Sequence, residues 1–224
     1  MVSIIYVNWN TCKWIDTSIK VIETNPPKVK YEIVIVDNGS EPEDNFKEWA
    51  EFHPQYRYVF NEYNMGFGYA CNQAILVSEG KYICILNPDT EPEAGWLDCL
   101  VKYLEENPEC GLAAPSMTNV CQPRQSRDYN KGDIVEVKGE VIPFACVVIP
   151  KKMFCYLGLL SLMWGEDIEF CKRLSTRNKS LVVIGKAFVK HAGGCSFSEN
   201  KIGYNVRTIT DYLAKFVYPR ILGR

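Results

Sequence analysis

The stretch Asn87-Pro88-Asp89 places a carboxylate directly after the apolar run Tyr82-Ile83-Cys84-Ile85-Leu86. A proline that ends a buried strand fixes the backbone and turns the chain out of the sheet, so Asp89 is expected at the sheet edge. A divalent cation such as Mg²⁺ or Mn²⁺ needs few protein oxygens when phosphate oxygens and water complete its coordination. Asp89 therefore predicts a site for a metal-bound phosphate, and the cap of a turn or helix is the alternative.

Polar side chains also follow two other predicted strands. Asn8 and Asn10 come after the first strand, and Asp37 and Asn38 come after the second. In an open α/β sheet, ligands bind outside the carboxyl ends of the strands. Together with Asn87, these groups predict a site that recognises hydroxyl groups, amide edges and a metal-bound phosphate. Taken alone, Asp37-Asn38-Gly39-Ser40 also has the composition of a turn.

The fingerprints of the common dinucleotide and ATP sites are absent from the sequence. Gly66 and Gly68 precede a predicted helix, but they do not form Gly-x-Gly-x-x-Gly after the first strand, and there is no lysine-bearing phosphate loop. No Ser–His or Cys–His arrangement indicates a covalent nucleophile. This absence fits a reaction that requires no covalent nucleophile.

Alternating strand and helix patterns position these residues. Apolar, β-branched runs predict strands, and apolar residues three or four apart predict helices. The predicted strands cover residues 3–7, 31–36, 56–60, 82–86, 112–115, 144–149 and 181–184, and the predicted helices cover 14–22, 46–52, 69–78, 96–106, 167–176 and 206–217. Because fully apolar strands alternate with helices, we predict an α/β fold with a parallel sheet and right-handed crossovers. The polar residues 118–131 are predicted to form a surface loop.

The composition excludes some classes of protein. With 25 basic and 27 acidic residues, the chain does not resemble one that binds nucleic acid by neutralising phosphates. No apolar run approaches the roughly 20 residues of a membrane span, and we expect no cleaved leader. The ten cysteines are scattered without a Cys-x-x-Cys pair, so we expect reduced structural thiols and a cytoplasmic location. A structural zinc site is the disfavoured alternative.

Six segments carry a family resemblance by their order along the chain. They are Val7-Asn8-Trp9-Asn10, Val36-Asp37-Asn38-Gly39-Ser40, Asn64-Met65-Gly66-Phe67-Gly68-Tyr69-Ala70-Cys71-Asn72, Leu86-Asn87-Pro88-Asp89, Trp164-Gly165-Glu166-Asp167-Ile168-Glu169-Phe170-Cys171-Lys172-Arg173 and His191-Ala192-Gly193-Gly194-Cys195-Ser196. This series resembles the family 2 glycosyltransferases, and within them the rhamnosyltransferase-like branch. The similarity covers nearly the whole chain.

The resemblance implies a GT-A fold, with a Rossmann-like, mostly parallel sheet flanked by helices and a smaller acceptor-side half. A single domain over 1–224 would then consist of a nucleotide-sugar-binding half, 1–115, and an acceptor and catalytic-base half, 116–224. Asp37 would hold the nucleobase or its ribose, helped by the backbone near Val7 and Asn8. The other donor-binding residues that the resemblance implies are Asn10, Asn38, Asn64, Gly66, Asn72, Asn87 and Asp89.

The resemblance also implies a metal site and a catalytic base. Asp89 would bind Mn²⁺ or Mg²⁺ that bridges the diphosphate of a UDP, dTDP or GDP sugar, and His191 would be a further metal ligand or else a structural histidine. Asp167 would be the general base, with Glu166 orienting the acceptor or sharing its charge. Inverting displacement at an anomeric carbon needs a base for the acceptor hydroxyl and an electrophile for the leaving diphosphate. An acidic first turn that complements the helix dipole is a compatible alternative for Glu166 and Asp167.

Two segments depart from the family pattern. Asn87 takes the first place of a metal motif that commonly has two aspartates, and Leu159-Leu160-Ser161-Leu162 stands where an acidic stretch is expected. The acceptor is therefore assigned only as a hydroxyl of a glycan or of a lipid-linked acceptor. The aromatic and basic run 212–220 is expected to pack on the domain, with peripheral contact to a membrane surface as the alternative.

Two other functions stay open. One is a catalytically inactive module that binds sugar nucleotides. The other is a sugar-phosphate nucleotidyltransferase, which would carry a glycine-rich, arginine-containing loop after the first strand. Asn8-Trp9-Asn10-Thr11-Cys12 offers neither feature.

Overall fold

A computed structural model of the chain describes residues 1–127, 133–137, 139–162 and 165–193. The strands are β1 (Val2–Asn8), β2 (Tyr31–Asn38), β3 (Arg57–Asn61), β4 (Tyr82–Leu86), β5 (Thr90–Pro92), β6 (Cys110–Met117), β7 (Ile134–Glu136), β8 (Cys146–Pro150) and β9 (Ser180–His191). The helices are α1 (Cys12–Thr24), α2 (Phe46–Glu51), α3 (Phe67–Val77), α4 (Trp96–Glu106), α5 (Lys151–Leu157) and α6 (Glu166–Thr176). Short 3-10 helices cover Pro42–Asp44 and Pro123–Gln125.

These strands form one sheet in the order β3-β2-β1-β4-β8-β6-β9-β5, with β7 paired to β9. β1 runs parallel to β2 and β4, and β2 runs parallel to β3. β8 is antiparallel to both β4 and β6, and β6 is parallel to β9. Because the two reversals at β8 cancel, β1, β2, β4, β6 and β9 all end at the same edge of the sheet. The predicted α/β fold, with a mostly parallel sheet flanked by helices, is confirmed; the strand at β8 was predicted, but its antiparallel direction was not.

Helices bury both faces of the central strands. β1 alternates its side chains between two apolar clusters, with Ile4 and Tyr6 on one face and Ile5 on the other. The first cluster includes residues of α1 and α4, and the second includes residues of α3, α5 and α6. α1 shows why the helices form, because Ile15, Ile19 and Ile22 recur on one buried face before Asn25-Pro26-Pro27 ends the pattern.

The longest strand, β9, extends seven residues beyond the predicted end at Ile184 and reaches His191. Gly185 and Lys186 interrupt the apolar pattern at the point where the register against β6 shifts. Ile184 pairs with Pro115, but Phe188 pairs with the next residue of β6, Ser116. The Ser116 hydroxyl lies 3.1 Å from the carbonyl oxygens of both Gly185 and Ala187, which fixes this irregularity. A bulge of this kind hides the continuation of a strand from a search for alternation.

Three short elements were not predicted: β5, β7 and α5. β5 contains a proline and only three residues, and α5 begins with the charged pair Lys151-Lys152, so neither shows a periodic apolar pattern. β5 pairs antiparallel with the end of β9, with Thr90 opposite His191. This pairing determines the geometry of the site described below.

Residues Met1–Gly193 form one compact unit. The predicted helix over 206–217, the run 212–220, Trp164 and the Gly194-Cys195-Ser196 end of the sixth motif lie outside the described residues. The prediction of one domain over 1–224 therefore stays a prediction. Within the described residues, no helix is long and apolar enough to cross a membrane.

Candidate functional site

The loops after β1 and β2 are tied together by the side chain of Asn8, which is 0% exposed. Its Nδ2 lies 3.0 Å from Asp37 Oδ1, 3.0 Å from Ser40 Oγ and 2.7 Å from Asp44 Oδ2. Its Oδ1 accepts hydrogen bonds from the backbone N–H and the hydroxyl of Thr11, at 3.1 and 2.9 Å. Asn8 thus binds the protein itself, and it holds the Asp37 carboxyl at the end of β2.

Asn10 fixes the same two loops from the other side. Its backbone N–H donates to Ser40 Oγ at 2.9 Å, and its Oδ1 accepts from the backbone N–H of Glu41 at 2.7 Å. Asn10 adopts a left-handed conformation, with φ of 56°, which asparagine tolerates better than most residues. Val7, the last predicted residue of this group, pairs in β1 with Val36 of β2. These contacts fix the end of β1 in place beside Asp37.

Asn38 organises the loop that precedes α3. Its Nδ2 donates to Asn64 Oδ1 at 2.9 Å, and its Oδ1 accepts from the backbone N–H of Met65 at 3.0 Å. Asn64 Oδ1 also accepts from the backbone N–H of Gly66 at 2.9 Å. Asn38, Asn64 and Gly66 therefore lie together, and the two asparagine side chains support the loop next to the end of β2.

Gly39 lets this loop approach the end of β2. Its φ is +73°, and a Cβ built on it would lie 2.4 Å from the backbone carbon of Tyr63. We expect Gly39→Ala to lower the free energy of unfolding by about 2 kcal/mol or more, because left-handed strain and a backbone clash add. Urea denaturation measures the change.

Gly95→Ala is the matched control for this substitution, because Gly95 has a φ of +76° and open space around its Cβ position. It should lose only the conformational part, about 1 kcal/mol. Equal losses for the two variants would show that the approach of Tyr63 to Gly39 carries no energetic weight.

Asn72 and Gly68 of α3 face the segment that leads to α6. Asn72 Nδ2 donates to the carbonyl oxygen of Leu160, and the backbone N–H of Leu160 donates to Asn72 Oδ1, each at 2.9 Å. A Cβ on Gly68 would lie 2.3 Å from the carbonyl oxygen of Ser161 and 3.5 Å from Glu166 Cβ. Both residues of α3 therefore lie against the segment that precedes α6.

Asp89 and His191 meet where β5 pairs with the end of β9. The Oδ1 of Asp89 lies 3.4 Å from Nε2 of His191, and the two side chains are only 5% and 11% exposed. The backbone N–H of Ala192 donates to the carbonyl oxygen of Asp89 at 3.0 Å, which continues the pairing past Thr90. The structure therefore brings together two residues that lie 102 positions apart in the sequence.

The residues after β6 hold His191 in its orientation. Thr118 exchanges hydrogen bonds with the His191 backbone at 2.9 Å, and Asn119 Nδ2 donates to the carbonyl oxygens of His191 and Ala192 at 2.9 Å. His191 Nδ1 lies 3.2 Å from the carbonyl oxygen of Asn119, so it carries a proton when it donates there, and Nε2 is directed to Asp89. Burial acts to lower the pKa of His191, but the hydrogen bond and charge of Asp89 outweigh it and raise the pKa above the ordinary value.

This pair fits a divalent cation in the donor atoms that it offers. A carboxylate oxygen and an imidazole nitrogen held through its other nitrogen are the arrangement of protein metal ligands. Among the described residues, no group of three or more His, Cys, Asp and Glu side chains could hold a metal. A cation here would need further oxygens from a bound phosphate and from water. Imidazole suits Mn²⁺ better than Mg²⁺, which prefers oxygen ligands.

Asn87 is half-buried; it directly follows β4 and precedes Asp89 by two residues. Its backbone N–H donates to the carbonyl oxygen of Ala145 at 2.8 Å, and its carbonyl oxygen accepts from the Thr90 hydroxyl at 2.6 Å. The Asn87 backbone therefore holds the Asn-Pro-Asp turn in place.

Glu166 and Asp167 form the first turn of α6. Gly165 precedes them with φ of +85°, and the backbone N–H of Ile168 donates to Asp167 Oδ1 at 2.7 Å. Burial raises the pKa of the Glu166 carboxyl, backbone N–H groups at Glu166 and Gly165 partly offset this, and the charge of Asp167 raises the pKa further. Both side chains are half-buried.

Several residues that shape this site were not predicted from the sequence. Asp44 lies in the acidic run Glu41-Pro42-Glu43-Asp44, which reads as exposed surface, yet its carboxyl binds Asn8 and the backbone N–H of Cys12. Thr118 and Asn119 directly follow β6. The rule that polar residues at the carboxyl ends of strands shape a site would have found them, had the end of β6 been predicted at Met117 rather than Pro115.

Comparisons with known proteins identify the family. The sequence profile of the family described as Glycosyl transferase family 2 matches residues 3–146, which is more than half of the 224 residues. An uncharacterized glycosyltransferase of Methanocaldococcus jannaschii is 30% identical over 115 residues, covering 50% of this chain and 40% of that protein. A putative polypeptide N-acetylgalactosaminyltransferase 13 of Drosophila melanogaster is 26% identical over 127 residues, covering 52% of this chain and 22% of that protein. The chain thus spans less than half the length of these curated relatives.

Solved structures share the fold at low sequence identity. The mannosyltransferase PcManGT from Pyrobaculum calidifontis, in complex with GDP-Man and Mn²⁺, has a TM-score of 0.69 at 20% identity, covering 85% of this chain and 56% of that chain. GalNAc-T7 with UDP, GalNAc and Mn²⁺ has a TM-score of 0.69 at 16% identity, covering 85% of this chain and 43% of that chain. The family match and the shared architecture agree: this chain belongs to glycosyl transferase family 2 and has the GT-A fold.

Proposed function

We propose that the chain is an inverting, metal-assisted glycosyltransferase that moves a sugar from a nucleoside diphosphate sugar to a hydroxyl of a glycan or lipid-linked acceptor. The observation that carries the proposal is the Asp89–His191 pair, 3.4 Å apart at the edge where the parallel strands end. The family assignment supports the reaction class. The solved relatives contain GDP-Man or UDP together with Mn²⁺, so we take UDP, dTDP and GDP sugars as the donors to test.

Each group of residues has one task in this proposal. Asp37, held by Asn8, accepts hydrogen bonds from the nucleobase or ribose, and the loop organised by Asn38 and Asn64 borders the nucleotide. Asp89 and His191 would hold Mn²⁺, which would supply positive charge to offset that of the leaving diphosphate.

The acid pair at the start of α6 serves the acceptor. Oδ2 of Asp167 takes the proton of the acceptor hydroxyl, since Oδ1 already accepts the Ile168 N–H. Glu166, whose pKa burial raises, orients the acceptor or shares its charge. A direct displacement by that hydroxyl inverts the configuration of the anomeric carbon.

We place the protein in a reducing, cytoplasmic environment. All nine cysteines of the described residues are free, and burial raises the pKa of the Cys71 and Cys146 thiols well above the usual range. Such thiols are protonated and behave as small apolar side chains. Membrane contact through 212–220 stays a prediction, which vesicle sedimentation of the full chain with and without anionic lipid measures.

A thermal-shift screen tests the donor assignment. We expect one class among UDP-glucose, UDP-N-acetylgalactosamine, dTDP-rhamnose and GDP-mannose to raise the melting temperature with MnCl₂, and to raise it much less with EDTA, because only the folded state binds. A response to dTDP-rhamnose alone would support the rhamnosyltransferase-like branch. If none of the sugars changes the melting temperature with Mn²⁺, the proposed donor site is wrong.

Turnover separates the proposed enzyme from a module that only binds sugar nucleotides. The sugar that stabilises the protein should be hydrolysed slowly in the absence of an acceptor, with water in the place of the acceptor hydroxyl. Release of the nucleoside diphosphate measures this reaction. Binding with no release under any metal condition, in the presence of glycan acceptors, would favour the inactive module.

A further inference from the structure

We propose that Asn72 and Arg173 are positioning residues that hold the segment 157–161 and thereby set the position of Glu166 and Asp167. The inference rests on the proposed function, because it takes this acid pair to be the acceptor side of the reaction. It differs from a donor-binding role for Asn72, which the sequence resemblance implies. It also gives a role to Arg173, to which no function was assigned above.

Asn72 fixes one peptide of this segment. The side chain is 7% exposed, and its amide exchanges two hydrogen bonds of 2.9 Å with the backbone N–H and carbonyl oxygen of Leu160. Two bonds to the same residue fix its orientation as well as its distance, much as a neighbouring strand would. The Leu160 side chain is buried in the core at 3% exposure, so this backbone has no water to replace Asn72.

Arg173 fixes the other end of the segment. Its Nη1 donates to the carbonyl oxygen of Leu157 at 2.7 Å and lies 3.2 Å from that of Gly158, and its Nη2 donates to the carbonyl oxygen of Leu159 at 2.7 Å. Nε and Nη2 also donate to Glu169 Oε2, at 2.9 and 2.6 Å. A planar guanidinium can satisfy these acceptors at once, and a lysine ammonium cannot.

The held segment contacts the acid pair through α3. The Cβ position of Gly68 lies 2.3 Å from the carbonyl oxygen of Ser161 and 3.5 Å from Glu166 Cβ. The first turn of α3 therefore packs directly against both the end of the segment and the start of α6. Asn72, one turn further along α3, and Arg173, two turns along α6, therefore bind the segment 157–161 from two different helices.

This geometry predicts an effect on turnover rather than on donor affinity. The side chains of Asn72 and Arg173 both bind the backbone of the segment 157–161. Among the described residues, neither makes a hydrogen bond to Asp37 or Asp89. A displacement of about 1 Å of a catalytic group lowers a rate by about 100-fold. Loosening the segment should therefore lower kcat and leave the KM of the nucleotide sugar unchanged.

Asn72→Asp and Arg173→Lys test the proposal with a matched control. Asn72→Asp keeps the acceptor for the Leu160 N–H and loses the donor to its carbonyl oxygen, and Arg173→Lys keeps the charge near Glu169. Gln73→Glu is the control, because Gln73 makes the same reciprocal amide pair with Asn61, at 2.8 Å in both directions, on the next position of α3. That control removes an equivalent bond without contacting 157–161. Because Asn61 also donates to Asn38 Oδ1 at 3.0 Å, beside the proposed donor pocket, any effect of the control falls on KM and not on kcat.

Two measurements on the full chain are compared with wild type. Hydrolysis of the nucleotide sugar selected in the Mn²⁺ screen should show kcat lowered by about 10- to 100-fold in both variants, with KM unchanged within about twofold. Hydrogen exchange should become faster in peptides that cover 157–168. Gln73→Glu should change neither kcat nor the hydrogen exchange of 157–168. A variant that does not fold is recognised by its loss of protection from exchange throughout the chain.

The outcomes separate the inference from the function on which it rests. A higher KM with unchanged kcat in Asn72→Asp would place Asn72 in the donor pocket and overturn the inference. Unchanged kcat and unchanged exchange in both variants would overturn it as well. A wild-type protein that turns over none of the sugars in the screen overturns the proposed function itself, before any variant is compared.

Discussion

Asp89→Asn should abolish the Mn²⁺-dependent stabilisation of the protein by its nucleoside diphosphate sugar. The substitution keeps the shape of the side chain but removes the charge that, with His191, would hold the cation. A ligand at 100 times its Kd stabilises the folded state by about 2.7 kcal/mol, or roughly 5 to 10 °C for a domain of this size. Thermal shift with MnCl₂ and with EDTA measures how much of this stabilisation the variant retains.

Glu91→Gln is the control for the loss of charge at Asp89. Glu91 lies two residues further along, in β5, and forms an exposed ion pair with Lys190 of β9 at 3.0 Å. Its substitution removes one carboxylate from the same pair of strands without touching His191, so the metal-dependent shift should be retained. An undiminished shift in Asp89→Asn would show that this carboxylate does not bind the metal.

Asp167→Asn should lower kcat for sugar transfer or donor hydrolysis by about 10²- to 10⁴-fold, the range that general-base catalysis contributes. Donor binding with Mn²⁺ should be unchanged, because Asp167 is placed on the acceptor side. The measurement is the rate of nucleoside diphosphate release at saturating donor, with the thermal shift as the record of binding.

Glu48→Gln separates the role of a base from that of a helix dipole. Glu48 is an exposed carboxylate in the first turn of α2, so its loss removes the same kind of dipole interaction, worth about 0.3–1 kcal/mol. Turnover should be unaffected by it. If Glu166→Gln lost the activity and Asp167→Asn kept it, the base would be Glu166.

The strands that the sequence predicted well are those whose burial is continuous. Residues 82–86 are apolar throughout and became β4 with the same bounds, and α4 over Trp96–Glu106 also matches its prediction. Local patterns determine such elements, because all five residues of β4 are buried and the apolar residues of α4 recur on one buried face. β5 could not be predicted in this way, because its three residues show no apolar pattern of their own and are stabilised by pairing with β9.

The sequence predicted where several candidate residues lie along the sheet, but not the contacts that they make. The rule of strand ends selected Asn8, Asp37 and Asp89, and the structure places all three at the same edge of the sheet. The rule does not show that the Asn8 side chain forms hydrogen bonds that link two loops. Nor could it bring His191 to Asp89, because that contact depends on the bulge in β9 and on the pairing of β5, which are tertiary features.

The position of β8 has a consequence for how the chain folds as it is synthesised. β8 lies between β4 and β6 in the sheet, although it follows both of them in the sequence. Until residue 150 has left the ribosome, the apolar edges of β4 and β6 have no strand between them, and the long connection from β6 to β8 closes late. The nascent 1–115 half therefore presents an open strand edge that invites association with other chains, and a ribosome-bound chaperone would have most to protect in that interval.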